Sequence, residues 1–356
     1  MNQLFKDLRV LDLSSVLAGP SVATFFAELG ASVIKIENPK THGDVTRSWK
    51  LPQEKTAVSA YWSSVNYAKQ IEFLDIGENL SYIKELLATS DILITNFKFG
   101  DAEKFGLTPQ ILREEFPKLI QASITGFKSN PRRVAYDVVL QAETGFMFMN
   151  GMQETPPLKM PVAMMDVLAA HQLKEAILCA LYQREKTGEG TVVTASLEKS
   201  GISSLVNQAS NYLMSGMIPQ REGSLHPNIA PYGETFCTKD NKWLVLAIGS
   251  DGQFEKLCTF LDIPEVKSLP QFQTNSSRVH HRSSLSHYLE KAFAMKDSQE
   301  ILENAIRENV PIGMVRSMDS VFESSVAQSM VLKEVVNGEM TFRVSGIAFE
   351  EIKKES

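Results

Sequence analysis

The first forty residues alternate a short β-rich run, a turn, an apolar helical stretch and a second β-rich run, an order that few folds accommodate. Residues 9–13 (RVLDL) read as a strand, 14–20 (SSVLAGP) as a turn and 21–29 as a helix. Gly30 stands where helices commonly end, residues 31–37 (ASVIKIE) form the next strand, and Asn38-Pro39 breaks it. Two strands joined through a helix at this spacing pair in parallel, with helices packed on the sheet. The pattern recurs as helix 80–88, strand 91–95, helix 109–116 and strand 119–125. Residues 167–185 place Val167, Leu168, Leu173, Ile177, Leu178 and Leu181 on one helical face, and strand 190–197 follows. The expected class is α/β.

At about 100–200 residues per domain, 356 residues suggest two or three domains. Residues 197–217 read as helical, and 218–233 (IPQREGSLHPNIAPYG) as a linker or long functional loop. A strand at 243–248 (WLVLAI) opens a second region with helical stretches at 254–261, 284–294 and 299–308, and 310–315 (VPIGMV) marks its exit. The expected division is a large α/β domain over 1–217, a linker over 218–233 and a smaller α+β domain over 234–310, with 311–356 returning to the first.

Lys and Arg number 36 against 42 Asp and Glu, a net charge of −6, so no basic excess is available to neutralise a nucleic acid. No apolar run reaches the length of about 18 residues that a membrane-spanning helix needs. The opening MNQLFKDLRVLDLSS lacks the pattern of a signal peptide. Cys179, Cys237 and Cys258 are too scattered for a disulfide framework or a zinc site, and their apolar surroundings read as core. A cytoplasmic protein is expected.

Three places could carry chemistry. The turn SSVLAGP follows a strand, where ligands of α/β folds sit, but it lacks the G-x-G-x-x-G of a dinucleotide grip. Asn96-Phe97-Lys98 also follows a strand, with Lys104 further on. An amide, an aromatic face and two cations would suit a purine bearing phosphates, or form an ordinary surface loop. Asp166 opens the strong helix, either as its N-cap or as a carboxylate nucleophile. The two roles are compatible, since a helix N-terminus would keep the acid ionised. His42, His171, His226, His280, His281 and His287 show no metal-binding spacing, and neither a G-x-S-x-G elbow nor a P-loop is present. No metal is expected.

Several segments together resemble the family III CoA-transferases, a group that also contains acyl-CoA racemases. They run in order from RVLDLSSVLAGPSVATFFAELGASVIKIENP and HGDVTRSW through NYAKQIEFLDI, SDILITNFKFGDAEKFGLT and YDVVLQAETGFMFMNG. MMDVLAAHQLKEAILCALYQREKTGEG, HPNIAPYG and VPIGMV complete the series. The resemblance implies a large Rossmann-like domain built from both ends of the chain, a smaller domain, and an interlocked homodimer whose monomer is not stable alone. It puts the nucleophilic aspartate at Asp166. It puts CoA-contacting positions at Leu17, Ala18, Asn38, Leu74, Asn96, Phe97, Lys98, Lys104, Tyr136 and Asp137.

Departures from the formyl-CoA branch are Asn38 and Lys104 in place of arginines, and GSLHPNIAPYG in place of a run of glycines. Many relatives also continue past FRVSGIAFE into a Gly-Glu-His-Thr-like segment that this sequence, ending at Ser356, does not contain. Tyr136 stands where the racemase branch has a histidine, and a phenol with an ordinary pKa near ~10 is a poor base at neutral pH.

The implied reaction moves CoA from an acyl-CoA to a carboxylic acid through an aspartyl-CoA thioester, with no cofactor beyond CoA itself and no metal. Backbone N–H groups at the start of the Asp166 helix, or near Gly145, are the expected oxyanion donors. The alternatives are an acyl-CoA racemase and a non-catalytic CoA-binding paralogue.

Overall fold

The computed structural model describes residues 3–350. Six strands form one sheet: β1 (Arg9–Asp12), β2 (Ser32–Glu37), β3 (Gln70–Phe73), β4 (Ile92–Thr95), β5 (Ile120–Thr125) and β6 (Val192–Ser196). Their spatial order is β3-β2-β1-β4-β5-β6, and every pairing is parallel. This is a doubly wound arrangement, whose order reverses between β1 and β4.

The helices in chain order are α1 (Ala18–Glu28), α2 (Ala60–Ser64), α3 (Leu80–Ala88), α4 (Asp101–Phe105), α5 (Pro109–Glu115) and α6 (Asp137–Glu143). They continue with α7 (Phe146–Met149), α8 (Met164–Thr187), α9 (Leu197–Ser203) and α10 (Val206–Ser215). Both faces of the sheet are covered. On one, Val10, Ile92, Ile94 and Ile120 pack with Val22 and Phe26 of α1 and with Leu173 and Ile177 of α8. On the other, Leu11, Ile36 and Leu93 pack with Ile83 and Leu87 of α3 and Leu112 of α5. Burial on both faces explains why these strands read as unbroken apolar runs rather than alternating ones.

The predicted helices and strands of this region all form, with ends moved by a few residues. One prediction needs correcting. The helical stretch 197–217 is two helices, parted at Ser204 and Leu205, and Val206 has a positive φ of 45°.

The chain divides into two compact units. Among the described residues, the first contains those up to Met149, then Leu158–Pro219, then those from Val326 onward, and the second contains Asn150–Pro157 and Gln220–Ser325. The second has an antiparallel sheet of β7 (Tyr232–Cys237), β8 (Trp243–Ala247) and β9 (Ile312–Met314). Its helices include α11 (Asp251–Phe260), α12 (Asn275–His280), α13 (Arg282–Ala294) and α14 (Ser298–Glu308). The predicted return at 311 therefore comes too early: Leu246 of β8 pairs with Ile312, so β9 belongs to this sheet. The hairpin of β10 (Val331–Val336) and β11 (Glu339–Val344) lies in the first unit, and the last six residues of the expected return lie outside the described ones.

The cysteines are also not uniformly core. Cys258 is buried, but Cys179 is exposed, because it falls on the α8 face turned away from Leu173 and Ile177. None of the three is in a disulfide. Among the described residues, no helix is long and apolar enough to cross a membrane.

Candidate active site

In a parallel sheet the strands all end on one edge, and the loops there converge. The turn at Ser14–Leu17 follows β1, Asn38 follows β2, Leu74 follows β3, and Asn96, Phe97 and Lys98 follow β4. Seven of the ten anticipated CoA-contacting positions, counting Ala18 at the start of α1, therefore lie at that edge. The geometry divides the anticipated residues into three groups.

The first group spans the switch point. The Asn96 side chain accepts from Ser15 N–H at 3.0 Å and donates to Ser15 O at 2.8 Å, tying the turn after β1 to the loop after β4. Ser14 N–H and its hydroxyl both donate to Asp12 Oδ1, at 2.9 and 2.5 Å. Helix α1 starts close against this turn, for a Cβ on Gly19 would lie 2.3 Å from the Ser14 side chain. Leu17 precedes α1 with no side-chain cap, and Ala18 is buried. Asn96 is thus a brace between loops more than a free ligand donor.

The second group lines a cleft of about 330 Å³ bordered by Ile36, Asn38, Leu74, Lys104 and Phe105. Phe97 packs edge-on to Phe105 at 5.6 Å, and Lys104 lies 5.4 Å from the Phe105 ring centre. Apolar walls with a cation at the rim suit a flat base carrying phosphate. Lys98 is exposed nearby. Asn38 is partly occupied, accepting from Lys40 N–H at 2.9 Å. Lys40, which sequence reasoning passed over, also lines the cleft, and its ammonium is held by Asp75 at 3.0 Å and Glu78 at 2.5 Å.

The third group holds Asp166. The structure corrects its capping role: α8 starts at Met164 after Ala163, so Asp166 is the third helical residue and caps nothing. The cap comes from another helix. Asp137, first residue of α6, accepts from Met165 N–H with Oδ1 at 2.7 Å and from Gln141 Nε2 with Oδ2 at 2.6 Å. Gln141 is fully buried and takes Met160 N–H at 2.7 Å, fixing the chain that leads into α8. Among the described residues, the Asp166 side chain has neither a hydrogen bond nor a counter-ion.

Burial, and then the Asp137 charge, push the Asp166 carboxyl up to about 7 from 3.8, so the expectation of a fully ionised acid is also corrected. The expected oxyanion donors at the helix start are mostly engaged as well: Met165 N–H by Asp137, Met164 N–H by Val162 O and Val167 N–H by Ala163 O.

Tyr136, just before Asp137, is exposed. Tyr61 in α2, also missed from the sequence, is half-buried, with its ring 5.2 Å edge-on to Trp49. Burial and the charges of Asp166, Asp137 and Asp44 push its phenol up to about 12. It stays protonated at neutral pH, a potential donor in a nest of carboxylates.

A half-buried carboxyl flanked by a second carboxylate at a helix start, on a unit whose strand ends border a base-sized cleft, is suited to a covalent carboxylate step with a nucleotide-bearing substrate. Comparison with known proteins then decides the family: the model for CoA-transferase family III matches residues 5–353. The chain belongs to CoA-transferase family III. It is 34% identical to the succinate–glutarate CoA-transferase of Agrobacterium fabrum, over 96% of this chain and 87% of that protein. It is 35% identical to the human succinyl-CoA:glutarate CoA-transferase, over 88% and 72% of the two chains. The crystal structure of a CAIB/BAIF family protein from Brucella suis superposes with a TM-score of 0.83 at 34% identity, covering 99% of this chain and 94% of that one. Like those relatives, this family III member is a CoA-transferase, and its central parallel sheet matches the family's solved fold.

The raised Asp166 predicts a stability effect with a defined sign. Folded chains hold the Asp166 proton up to about pH 7, unfolded ones only to about pH 4, so stability falls as pH rises from about 4 and the loss is complete above about pH 7. Asp166→Asn should therefore stabilise the protein at pH 8, on the order of 2 kcal/mol after solvent screening. That gain should vanish below about pH 4, which thermal melts at the two pH values would reveal.

Proposed function

We propose that the protein transfers CoA from a dicarboxylic acyl-CoA such as succinyl-CoA to a carboxylic acid acceptor, through a thioester on Asp166. The observation that carries this reading is the Asp166 carboxyl, unpartnered and pushed up to about 7 beside the fixed Asp137 carboxylate. Such an acid is ionised often enough at neutral pH to act, and is more basic than an ordinary carboxylate. The dicarboxylate is suggested by relatives named for succinyl-CoA, including a mesaconate CoA-transferase of Haloarcula hispanica that is 33% identical.

The steps balance without metal, ATP or net proton transfer. An Asp166 oxygen attacks the thioester carbonyl and the carbon–sulfur bond breaks, leaving a mixed anhydride and CoA thiolate. The thiolate attacks the Asp166 carbonyl, the anhydride bond breaks, and the first acid leaves as carboxylate. An acceptor carboxylate then attacks the aspartyl thioester carbonyl and the carbon–sulfur bond breaks, leaving a second mixed anhydride. The freed thiolate attacks the acceptor's carbonyl and the anhydride bond breaks, releasing the new acyl-CoA and restoring the Asp166 carboxylate. Water must be kept out, since anhydrides hydrolyse. Racemisation would need a strong base near the α-carbon, whereas the Tyr61 phenol is pushed up to about 12 and is poorer than an ordinary one.

CoA binding is proposed along the strand-end edge. Its base and phosphates enter the cleft of Asn38, Leu74 and Lys104, beside Phe97 and Lys98, and its chain passes Leu17, Ala18 and Asn96. Tyr136 borders the acyl end, and Asp137 acts there by holding the α8 start. A cytoplasmic, interlocked homodimer is part of the reading. The dimer is supported by α10, where Val206 is 71%, Leu213 78% and Met214 89% exposed, apolar side chains that a partner subunit would cover.

Asp166→Ala should abolish transfer, by more than about 1,000-fold, and leave CoA affinity within a few-fold. Wild-type protein incubated with succinyl-CoA and hydroxylamine should gain a hydroxamate at Asp166 by peptide mass analysis. Retained turnover in the variant, or deuterium exchange at the α-carbon of an acyl-CoA in D₂O, would point to different chemistry.

The acid limb of kcat/KM should fall near pH 7. Asp137→Asn keeps an acceptor for Met165 N–H but removes the charge, so the limb should move to lower pH. The move should be less than half of the full displacement, because burial is the larger cause. In solution the protein should sediment as a dimer at micromolar concentration, and a stable monomer would contradict the interlocked assembly.

A further inference from the structure

The segment HGDVTRSW supplies no CoA-contacting position, although its Asp44 and Trp49 neighbour Tyr61. Its buried acid nonetheless reaches the turn that follows β1. Gly43 has a φ of +91°, and a Cβ there would lie 2.3 Å from Glu37 Oε2, so only glycine lets the chain fold back this tightly. The fold-back buries Asp44, whose N–H donates to Glu37 Oε2 at 2.9 Å. Glu37 is in turn fixed by Arg47 Nε at 2.5 Å and Trp62 Nε1 at 2.9 Å.

The two Asp44 oxygens do different things. Oδ1 accepts from Thr46 N–H at 3.0 Å and the Thr46 hydroxyl at 2.8 Å, capping its own short helix. Oδ2 accepts from Val16 N–H at 3.0 Å and lies 3.5 Å from Lys35 Nζ. Lys35 is fully buried and donates to Ser14 O at 2.5 Å, so the same acid–base pair holds the turn at Ser14 and at Val16, on either side of Ser15. Asp12 and the buried Lys69, 2.9 Å apart, complete a set of two acids and two bases.

Val16 has a φ of +72°, the left-handed region, which a β-branched residue avoids. Local preference would carry it back to negative φ and redirect Leu17 and Ala18 behind it. The shape of the turn is thus imposed by a carboxylate 28 residues away in sequence.

We infer that Asp44 is a positioning residue for acyl-CoA: through Val16 N–H it sets the path of the Leu17–Ala18 backbone against which the substrate docks. The inference rests on the proposed role of this turn in CoA binding. Asp44 touches no substrate and acts only through the turn.

The test separates positioning from folding. Asp44→Ala, which leaves Val16 N–H without its acceptor, should raise KM for succinyl-CoA about tenfold and weaken CoA binding by calorimetry equally, while kcat stays within about twofold. Adding Val16→Gly should recover most of the lost affinity, because glycine takes positive φ without being held. A residue needed only for folding would lower the melting temperature and the active fraction, leave KM unchanged, and gain nothing from glycine. An unchanged KM in Asp44→Ala, or no recovery in the double variant, overturns the inference.

Should Asp44→Ala fail to fold, Val16→Pro leaves every buried charge in place, forbids positive φ and has no N–H to give. It should lose CoA affinity to a similar extent, and wild-type affinity in that variant overturns the inference. Wild-type protein that binds no CoA at all overturns the CoA-binding reading itself, an outcome distinct from any behaviour of the variants.

Discussion

One contact organises the reactive end of this molecule, the Asp137 carboxylate on Met165 N–H. Helix α8 has Ala163 at its N-cap, a residue whose side chain cannot cap, and Asp137 supplies the missing acceptor from α6. Because it caps, it also sits near Asp166 as a like charge. Positioning and electrostatics are therefore inseparable: the group that fixes where Asp166 stands also raises the cost of ionising it. Had Asp166 been the cap itself, its charge would have been stabilised by the helix amides and its basicity lost.

The same division of labour holds along the strand ends. A doubly wound sheet brings the loops after β1, β2, β3 and β4 to one edge at no cost to the core, since Ile92, Ile94 and their neighbours are sealed beneath helices on both faces. What the loops need is shape, and shape comes from side chains on other segments of the chain: Asn96 on Ser15, Lys35 on Ser14, Asp44 on Val16. Each contact joins residues far apart in sequence, so the edge is assembled only when the sheet is.

That distance explains what the sequence disclosed and what it hid. Strand and helix positions in the first unit were legible because apolar runs and periodicity are local signals, and helix 80–88 was placed to the residue. The end of the smaller unit was missed because the membership of β9 depends on its pairing with β8, to which no local pattern testifies. Asp166 was legible as an acid near a helix start, but a shift of a few residues in that start turned a capping group into an uncapped one. Lys40, Asp44 and Tyr61 gave no local signal at all. Their importance lies in Asp75, Val16 and the carboxylates that folding puts beside them.

The elevated basicity of Asp166 also bears on the direction of the proposed scheme. In a mixed anhydride between Asp166 and a substrate acid, the returning thiolate can attack either carbonyl, and the path that expels the weaker base is favoured. An ordinary substrate carboxylate, with a pKa near ~4, leaves more readily than a desolvated aspartate pushed up to about 7. Attack at the Asp166 carbonyl therefore wins, which carries the reaction forward to the aspartyl thioester instead of back to the starting acyl-CoA. The final step, which must expel Asp166, is slowed by the same preference. Under the proposed scheme, then, a burial that costs the folded state stability would concentrate the enzyme in its thioester form, with CoA held covalently while one acid departs and the next arrives.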